Sequence, residues 1–415
     1  LYLGNAEILF NYLICMDVST PPLPPYTNLD VAGKRVVLRL DLNIEATDIA
    51  AIAVDHRVQT ALPVLRYLIE KQARVIVLAH RGRPKGTDPT FSNAPLADAL
   101  ARALNHPIQF VPHVIGAAVT TAVAALSNGA VMMTENLRFD AGEEANDESF
   151  ARQLAALGDV YINDAFANCH RAHASIDAIT RFILHAAGPL LLREVETLGA
   201  ALGTMARPTA AIIGGAKIST KLALLENLIG KMDMLFVGGA MANTFLVAEG
   251  CDVQKSLFEP DLVPAASQIL ARAHTFNCQI ILPNDALAAA SPNDEPIAVP
   301  CSIIPPAHMI LDIGPATTMR LVSMLADCRT VVWNGPVGLF EKPAFAGGTM
   351  AIARALAEHT RRGHMTSIAG GGDTVAALQA AGVADDFSYI STAGGAFLEF
   401  MEGRTLPGLV ALTRP

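Results

Sequence analysis

The 415 residues carry 30 Lys and Arg against 39 Asp and Glu, a formal net charge of -9. That balance excludes the broad basic surface needed to neutralise a nucleic-acid backbone, so any anion site must be local. The length exceeds one ordinary core and predicts two domains, while a hydrophobic fraction of 52% without a long polar tract predicts compact folding.

The opening "LYLGNAEILFNYLICM" is apolar but interrupted by Asn5, Glu7 and Asn11. It is shorter than the roughly 20 residues of a membrane-spanning helix and has no basic start, so it reads as neither a span nor a signal peptide. The stretch that follows, "STPPLPPYTNLD", reads as a Pro-rich linker. Residues 1–27 are therefore expected to be an extension and linker, with the first fifteen outside the folded unit. Cys15, Cys169, Cys251, Cys278, Cys301 and Cys328 form no Cys-x-x-Cys pair, which disfavours structural zinc and a disulfide framework and fits a reducing cytosol.

Short β-rich runs then alternate with helical patterns. The first half contains "RVVLRLDLN", "ARVIVLAHRGRP", "AVMMTENLRF" and "DVYINDAFANCHRAHAS". After "GPLLLREVETLGAALG", which reads as a helix joining two domains, come "TAAIIGGAKIST", "MLFVGGAMANTF", "QIILPND", "TVVWNGPVG", "TSIAGGGDTVAAL" and "YISTAGGAFLEF". This alternation predicts βα units on parallel sheets, whose ligands sit beyond the carboxyl ends of the strands.

The two halves differ at those ends. The first places Asp41, Asn43, His80, Arg83, Arg138, His170 and Arg171 there, a donor set suited to a small, multiply charged anion. Within "HRGRPK", Gly82 and Pro84 shape a turn, and Lys85 reads as solvated. His170 and His173 stand at i, i+3, but only Cys169 could join them, so metal ligation is the minority reading. The second half places glycine turns whose bare amides suit phosphates at helix N-termini.

In "IIGGAKISTKLALLENL", Ser219 or Thr220 is the expected N-cap. Lys217 and Lys221 would then flank the first turn of a helix starting near Ile218. Two lysines oppose the helix dipole there, which favours an anion-binding role over ordinary solvation. No Walker A sequence and no complete Gly-x-Gly-x-x-Gly fingerprint occurs. Asp373, after three glycines, reads equally well as a helix cap and as a metal-linked carboxylate. Glu341, after the turn "NGP", is either a surface carboxylate or the partner of a nucleotide sugar hydroxyl.

From "NLDVAGKRVVLRLDLN" through "HRGRPKG", "ENLRF", "GEEANDESFARQLA", "INDAFANCHRAHAS", "GGAKISTKL", "GGAMANTFL", "LDIGP", "VVWNGPVGLFE", "GGGDT" and "STAGGAFLEF", the chain resembles the phosphoglycerate kinase family, bacterial type, nearly end to end. The resemblance implies two doubly wound, parallel-sheet, Rossmann-like α/β domains joined by a helix, with a cleft between them. Its expected boundaries are 28–188 for the 3-phosphoglycerate domain, 189–203 for the joining helix and 204–395 for the nucleotide domain. Residues 396–415 are expected to return to the first domain.

The implied activity is reversible, Mg2+-dependent phosphoryl transfer between ATP and the carboxylate of 3-phosphoglycerate, giving ADP and 1,3-bisphosphoglycerate. The family's substrate contacts carry over to Asp41, Asn43, Arg57, His80, Arg83, Arg138 and Arg171. Its nucleotide contacts carry over to Lys217, Lys221, Gly238, Asn334, Pro336, Glu341, Gly371, Gly372, Asp373 and Thr374. Arg57 and Lys221 are the implied catalytic cations, Gly394 and Gly395 supply amides, and Asp373 helps hold the metal-nucleotide. A cytoplasmic monomer closing about hinges at Gly188–Pro189 and "STAGG" completes the expectation, with neither nucleic acid nor membrane as partner.

The chain departs from the family pattern in places. "NIE" stands where Asn-Val-Pro is usual, and the loop to Arg57 has no glycine turn. Ala167, Asn168 and Cys169 replace the usual residues, and Ala240 and Ala393 replace glycines. Arg81 stands where an apolar residue is common, and a guanidinium there needs a carboxylate or water partner. These departures motivate an alternative, a catalytically reduced two-domain paralogue that binds nucleotide or anion. A polyanion binder built on "HRGRPK" is disfavoured by the net charge.

Overall fold

The computed structural model describes residues 22–415, so the expectation for the first fifteen residues lies outside the described part. The described residues divide into two compact units, one comprising 22–196 together with Thr405–Pro415, the other Thr197–Arg404.

In the first unit, β1 (Arg35–Leu40), β2 (Arg74–Leu78), β3 (Ile108–Val111), β4 (Val131–Thr134), β5 (Val160–Asp164) and β6 (Leu184–Ala187) form one six-stranded sheet. The order is β3-β4-β2-β1-β5-β6, and every pairing is parallel. Its central strands read as continuous apolar runs because consecutive residues, and so both faces, are buried; Val36, Leu38, Val75, Val77 and Ile162 all lie in one core. The chain proceeds from β1 toward β3 on one side and from β5 toward β6 on the other. The sheet's direction of winding therefore reverses at β1/β5, where such sheets hold ligands.

Part of the Pro-rich stretch belongs to this unit rather than to a linker. Leu23 is buried, Pro24 accepts the Ala187 amide at 2.8 Å, and the Tyr26 ring stands edge-on to Tyr67 at 5.0 Å. The last residues are also anchored here: the Gly408 amide donates to Cys169 O at 2.9 Å, and Arg414 pairs with Asp177 at 2.6 Å. The helix Pro189–Gly203 starts with proline, and Asp164 Oδ1 accepts the Leu190 and Leu191 amides at 2.7 and 3.0 Å. A carboxylate at that position satisfies orphan donors of the first turn.

In the second unit, β7 (Thr209–Ile213), β8 (Met234–Val237) and β9 (Gln279–Ile281) join β13 (Thr330–Asn334), β14 (Thr366–Gly370) and β15 (Tyr389–Ser391) in a parallel sheet. Its order is β15-β14-β13-β7-β8-β9. Trp333, Phe236, Ile212 and Leu356 centre its core. A three-stranded antiparallel sheet, β10 (Asp285–Ala289), β11 (Ile297–Pro300) and β12 (Met309–Ile313), was not expected from the sequence. Alanine-rich β10 has weak strand propensity, and β11 is largely exposed, so neither carries the alternation that announces a strand. Among the described residues no helix is long and apolar enough to cross a membrane.

Candidate functional site

Asp41 and Asn43 follow β1, and Arg57 reaches them from the first turn of the helix His56–Glu70. The loop between has no glycine turn because two aspartates shape it. Asp48 accepts the Ala51 amide at 2.8 Å to start the short helix Ile49–Ala53, and Asp55 accepts the Arg57 amide at 2.8 Å to start the next. Arg57 Nε pairs with Asp41 Oδ2 at 3.3 Å, and its Nη1 donates to Asn43 O at 2.6 Å.

His80 follows β2 and is 4% exposed. Its Nδ1 faces Arg39 Nη2 at 3.0 Å. A guanidinium only donates, so Nδ1 accepts and Nε2 carries the proton. Burial first, and then Arg39, Arg138, His173 and Arg171, hold the His80 pKa well below the usual histidine value. The ring is thus a neutral donor. Arg138 follows β4; its Nη1 donates to Gly82 O at 2.6 Å and its Nε pairs with Glu144 at 3.1 Å. Arg171 Nε donates to His170 Nε2 at 3.1 Å.

A buried chain behind His80 escaped sequence reasoning. Arg39 Nε donates to Ser175 Oγ at 3.0 Å, and that hydroxyl donates to Glu143 Oε1 at 2.6 Å. Arg39 and Glu143 are each 1% exposed. Burial raises the Glu143 pKa, with Arg39 and the Ser175 hydrogen bonds opposing it. The available signal was an arginine inside the apolar strand "RVVLRL", since a buried charge needs a partner. His173 lies 3.9 Å from Glu143, but burial followed by Arg138 and Arg39 pushes its pKa down to about 4, so the contact is not an ion pair at neutral pH.

The "HRGRPK" turn divides its cations. Gly82 has φ +61, and a Cβ there would stand 2.2 Å from the Phe91 ring, so only glycine fits. Its amide donates to Asn43 Oδ1 at 2.7 Å. Arg83 and Lys85 are exposed; the contacts that gather Asp41, Asn43, Arg57, His80 and Arg138 do not include Arg83. Arg81 is 3% exposed and donates to neither a carboxylate nor an anion site but to the backbone carbonyls of Ile44, Glu45, Ala46 and Ser92.

In the second unit, a cleft of about 380 Å³ lies beyond the carboxyl ends of β7, β8 and β13 and along the length of β12. Pro336, Glu341 and Asp373 line it, as do Ala216, Gly239, Leu257, Leu311 and Val337, which sequence reasoning did not single out. Gly238 is buried beside it, while Gly239, at φ +67, forms the wall. Asn334 is 2% exposed; it accepts from Lys221 Nζ and donates to Gly370 O at 2.6 Å. Lys221 is thereby turned inward. Burial pushes its pKa down to about 8, with Glu402 and Asp373 opposing.

The expected helix start near Ile218 is corrected. Ile218–Thr220 form a separate tight turn, and the helix is Leu222–Ile229 with Lys221 at its N-cap position. Ser219 is diverted because Glu259 accepts both its amide, at 3.0 Å, and its hydroxyl, at 2.6 Å; Thr220 donates instead to Lys217 O at 2.9 Å. Lys217 is exposed, so the two lysines do not share a helical turn.

Asp373 is not a cap either. Gly371, at φ +96, holds the N-cap position of the helix Gly372–Ala380, leaving Asp373 exposed in the first turn. Thr374 Oγ1 accepts the Gly335 amide at 2.7 Å and donates to Gly370 O at 2.9 Å. Gly394, at φ +51, precedes the helix Gly395–Met401.

The replaced glycines cost no strain. Ala240 has φ -63, Ala167 sits in the turn Phe166–Asn168, and neither Ala167 nor Ala393 is among the described residues with positive φ. A methyl group is tolerated in such conformations. The part of the case for a catalytically reduced paralogue that rested on the lost glycines falls with them.

A family model described as phosphoglycerate kinase matches residues 26–404. A curated phosphoglycerate kinase of Azorhizobium caulinodans is 49% identical over 398 residues, covering 94% of this chain and 100% of that protein. One of Methylorubrum extorquens is 50% identical over 383 residues, covering 92% and 96%. The solved phosphoglycerate kinase of Coxiella burnetii superposes with a TM-score of 0.86 at 40% identity, covering 94% of this chain and 99% of that one. Two parallel-sheet units, an anion-donor cluster on one and a glycine-lined cleft on the other agree with these matches, and the chain belongs to the phosphoglycerate kinase family of phosphotransferases.

Proposed function

We propose that the first unit binds 3-phosphoglycerate or 1,3-bisphosphoglycerate and the second binds ATP or ADP, with reversible transfer of the γ-phosphoryl to the substrate carboxylate. One observation carries this assignment. The buried neutral donor His80 is packed among Arg39, Arg138 and Arg171 on one sheet, a set suited to an anion, and the other sheet carries a glycine-walled cleft with Lys221 beside its Gly215, a set suited to phosphates. A carboxylate is already ionised at neutral pH, so no general base is required. Its oxygen forms a bond to the γ-phosphorus as the bond to the leaving ADP oxygen breaks.

Asp41 and Asn43 hold Arg57, so its guanidinium is oriented before substrate arrives. Arg138 and Arg171 supply charge around His80, and exposed Arg83 completes the anion contacts. On the nucleotide side, Glu341 and Pro336 flank the sugar and base. The first-turn amides of Gly372–Ala380, set up by Gly371, face the phosphates, as helix N-termini favour. Gly238 packs beneath this wall, Thr374 and Asn334 fix its turns, and Lys217 adds an exposed cation. Arg57, Lys221 and the Gly394 and Gly395 amides stabilise the charge that spreads over the moving phosphoryl group.

Among the described residues no cluster of three His, Cys, Asp or Glu side chains could hold an ion unaided. Asp373, exposed in the first turn of its helix, is a single carboxylate that fits an ion carried in largely by nucleotide phosphates, as magnesium usually is. Asp373 on the cleft rim would hold Mg2+ together with the phosphates; when bound, the ion neutralises phosphate charge. Transfer also requires the two ligands to come into line. We assign that movement to hinges at Gly188–Pro189 and the "STAGG" segment, in a cytoplasmic monomer. Identical scattering from free protein and protein with both ligands would count against the hinges.

Steady-state turnover with ATP and 3-phosphoglycerate, run beside Arg57→Ala and Lys221→Ala, tests the proposal. Each variant is expected to lose a factor of about 100 or more in kcat, the size of a removed transition-state contact. Wild-type protein no faster than the variants would refute it.

A further inference from the structure

Arg81 belongs to neither group of ligand-facing cations, yet its guanidinium is almost completely enclosed. Nε donates to Ile44 O at 2.9 Å, Nη2 to Ala46 O at 2.6 Å and to Glu45 O at 3.4 Å, and Nη1 to Ser92 O at 3.1 Å. Ile44 to Ala46 lie in the segment between β1 and the helix Ile49–Ala53, where neither helix nor strand satisfies the carbonyls. A planar fork with five N–H donors can take three consecutive carbonyls and a fourth from a neighbouring turn; an ammonium cannot reproduce that geometry.

This segment delivers the first half-site. Asn43, immediately before it, accepts the Gly82 amide on its side chain and Arg57 Nη1 on its carbonyl. Arg81 itself is held from behind, because its carbonyl accepts Asn136 Nδ2 at 2.7 Å, and Asn136 Oδ1 accepts the Arg138 amide at 3.0 Å. The segment carrying Asn43 and the turn carrying Arg138 therefore meet at Arg81, the first on its guanidinium and the second, through Asn136, on its backbone carbonyl. Glu45 is exposed and offers the backbone no rigidity of its own, whereas a proline in such a loop would fix φ covalently.

We infer that Arg81 is a positioning residue for the substrate half-site: it clamps residues 44–46 so that Asn43 and Arg57 are ordered before an anion arrives. This inference rests on the reading of the first unit as the 3-phosphoglycerate site. The chemistry is that of a structural cation spent on carbonyls, with no contact to substrate.

The test compares wild-type protein with Arg81→Leu and Arg81→Lys by amide hydrogen exchange without ligand, followed by separate KM measurements for 3-phosphoglycerate and ATP. Arg81→Leu is expected to speed exchange by about tenfold or more at the Asn43 and Ile44 amides, which donate to Asp41 Oδ1 at 3.4 Å and Leu42 O at 2.8 Å, since it removes the four hydrogen bonds that hold the segment in place. It should raise KM for 3-phosphoglycerate by a similar factor and leave KM for ATP within about twofold. Arg81→Lys keeps the charge without the fork and should fall between, at about threefold, so it decides the matter if the leucine variant does not fold. Unchanged exchange in a folded variant overturns the inference. So does faster exchange with unchanged KM for 3-phosphoglycerate, or an equal rise in both KM values. If wild-type protein shows no 3-phosphoglycerate turnover, the functional reading fails, and the exchange rates alone judge the clamp.

Discussion

The two half-sites are built from opposite materials. In the first unit, the side chains assigned to the anion are each held by further side chains, with Asp41 on Arg57, Glu144 on Arg138, and Arg39 and Ser175 behind His80. In the second, backbone turns form the wall, and one inward lysine is held by one asparagine. Crowded buried cations need built-in partners, because an unpaired charge in a low-dielectric site is costly. Amides at a helix start need only an approachable backbone. The first site should therefore be fragile to removal of a partner and the second to loss of a single charge.

Arg39→Met attacks the first site hardest. It removes the donor that His80 Nδ1 accepts and leaves Glu143 without its nearby cation, so calorimetry should register loss of 3-phosphoglycerate binding. Denaturant unfolding should register a loss of about 3–5 kcal/mol, the usual cost of breaking a buried charge partnership. Retained 3-phosphoglycerate affinity would break the contrast.

Acid sharpens it. His173 is held near pKa 4, below its unfolded value, so the unfolded chain takes up its proton first as pH falls. Stability from this group is complete above about pH 6.5 and is lost toward pH 4, on the order of 3 kcal/mol. Burial raises Asp164 and Asp312 to about 7, which acts in the opposite sense over the same interval. The difference between wild-type protein and His173→Gln in pH-dependent unfolding cancels those groups and should isolate the histidine.

Gly82→Ala combines a positive φ with a methyl group driven into Phe91. It should cost about 2 kcal/mol in stability and raise KM for 3-phosphoglycerate but not for ATP. Alkali probes the other half. Lys221, at about 8, loses its charge as pH rises, so ADP affinity should weaken by about tenfold between pH 7 and 9.5, and Lys221→Arg should flatten that profile. The smallest effect belongs to Ala240→Gly. At φ -63 the methyl group is unstrained, so restoring glycine should cost about 0.5–1 kcal/mol in thermal unfolding and improve nothing.

The contrast also explains what the sequence revealed. His80, Arg138 and Asn43 stand at strand ends, where polarity after an apolar run is visible in the letters, and glycine clusters mark the turns of the second unit. Partners were hidden, because they come from distant segments. Glu143 lies 104 positions from Arg39, and no local spacing predicts that Ser175 joins them. Ser219 looked like a cap until Glu259, 40 residues away, was found to hold it. Arg81 looked like part of a basic patch because its acceptors are carbonyls, which every residue has. The cleft walls at Leu257 and Leu311 were invisible for a related reason: an apolar side chain facing a ligand reads like one facing the core.

Separate half-sites make one measurement decisive. Calorimetric titrations of 3-phosphoglycerate and of Mg-ADP into Arg138→Met and Lys221→Met are expected to show single losses. Arg138→Met should lose 3-phosphoglycerate and keep nucleotide, and Lys221→Met should weaken nucleotide and keep 3-phosphoglycerate. Loss of both ligands by either folded variant, or of neither, would contradict the division of the site between the two units.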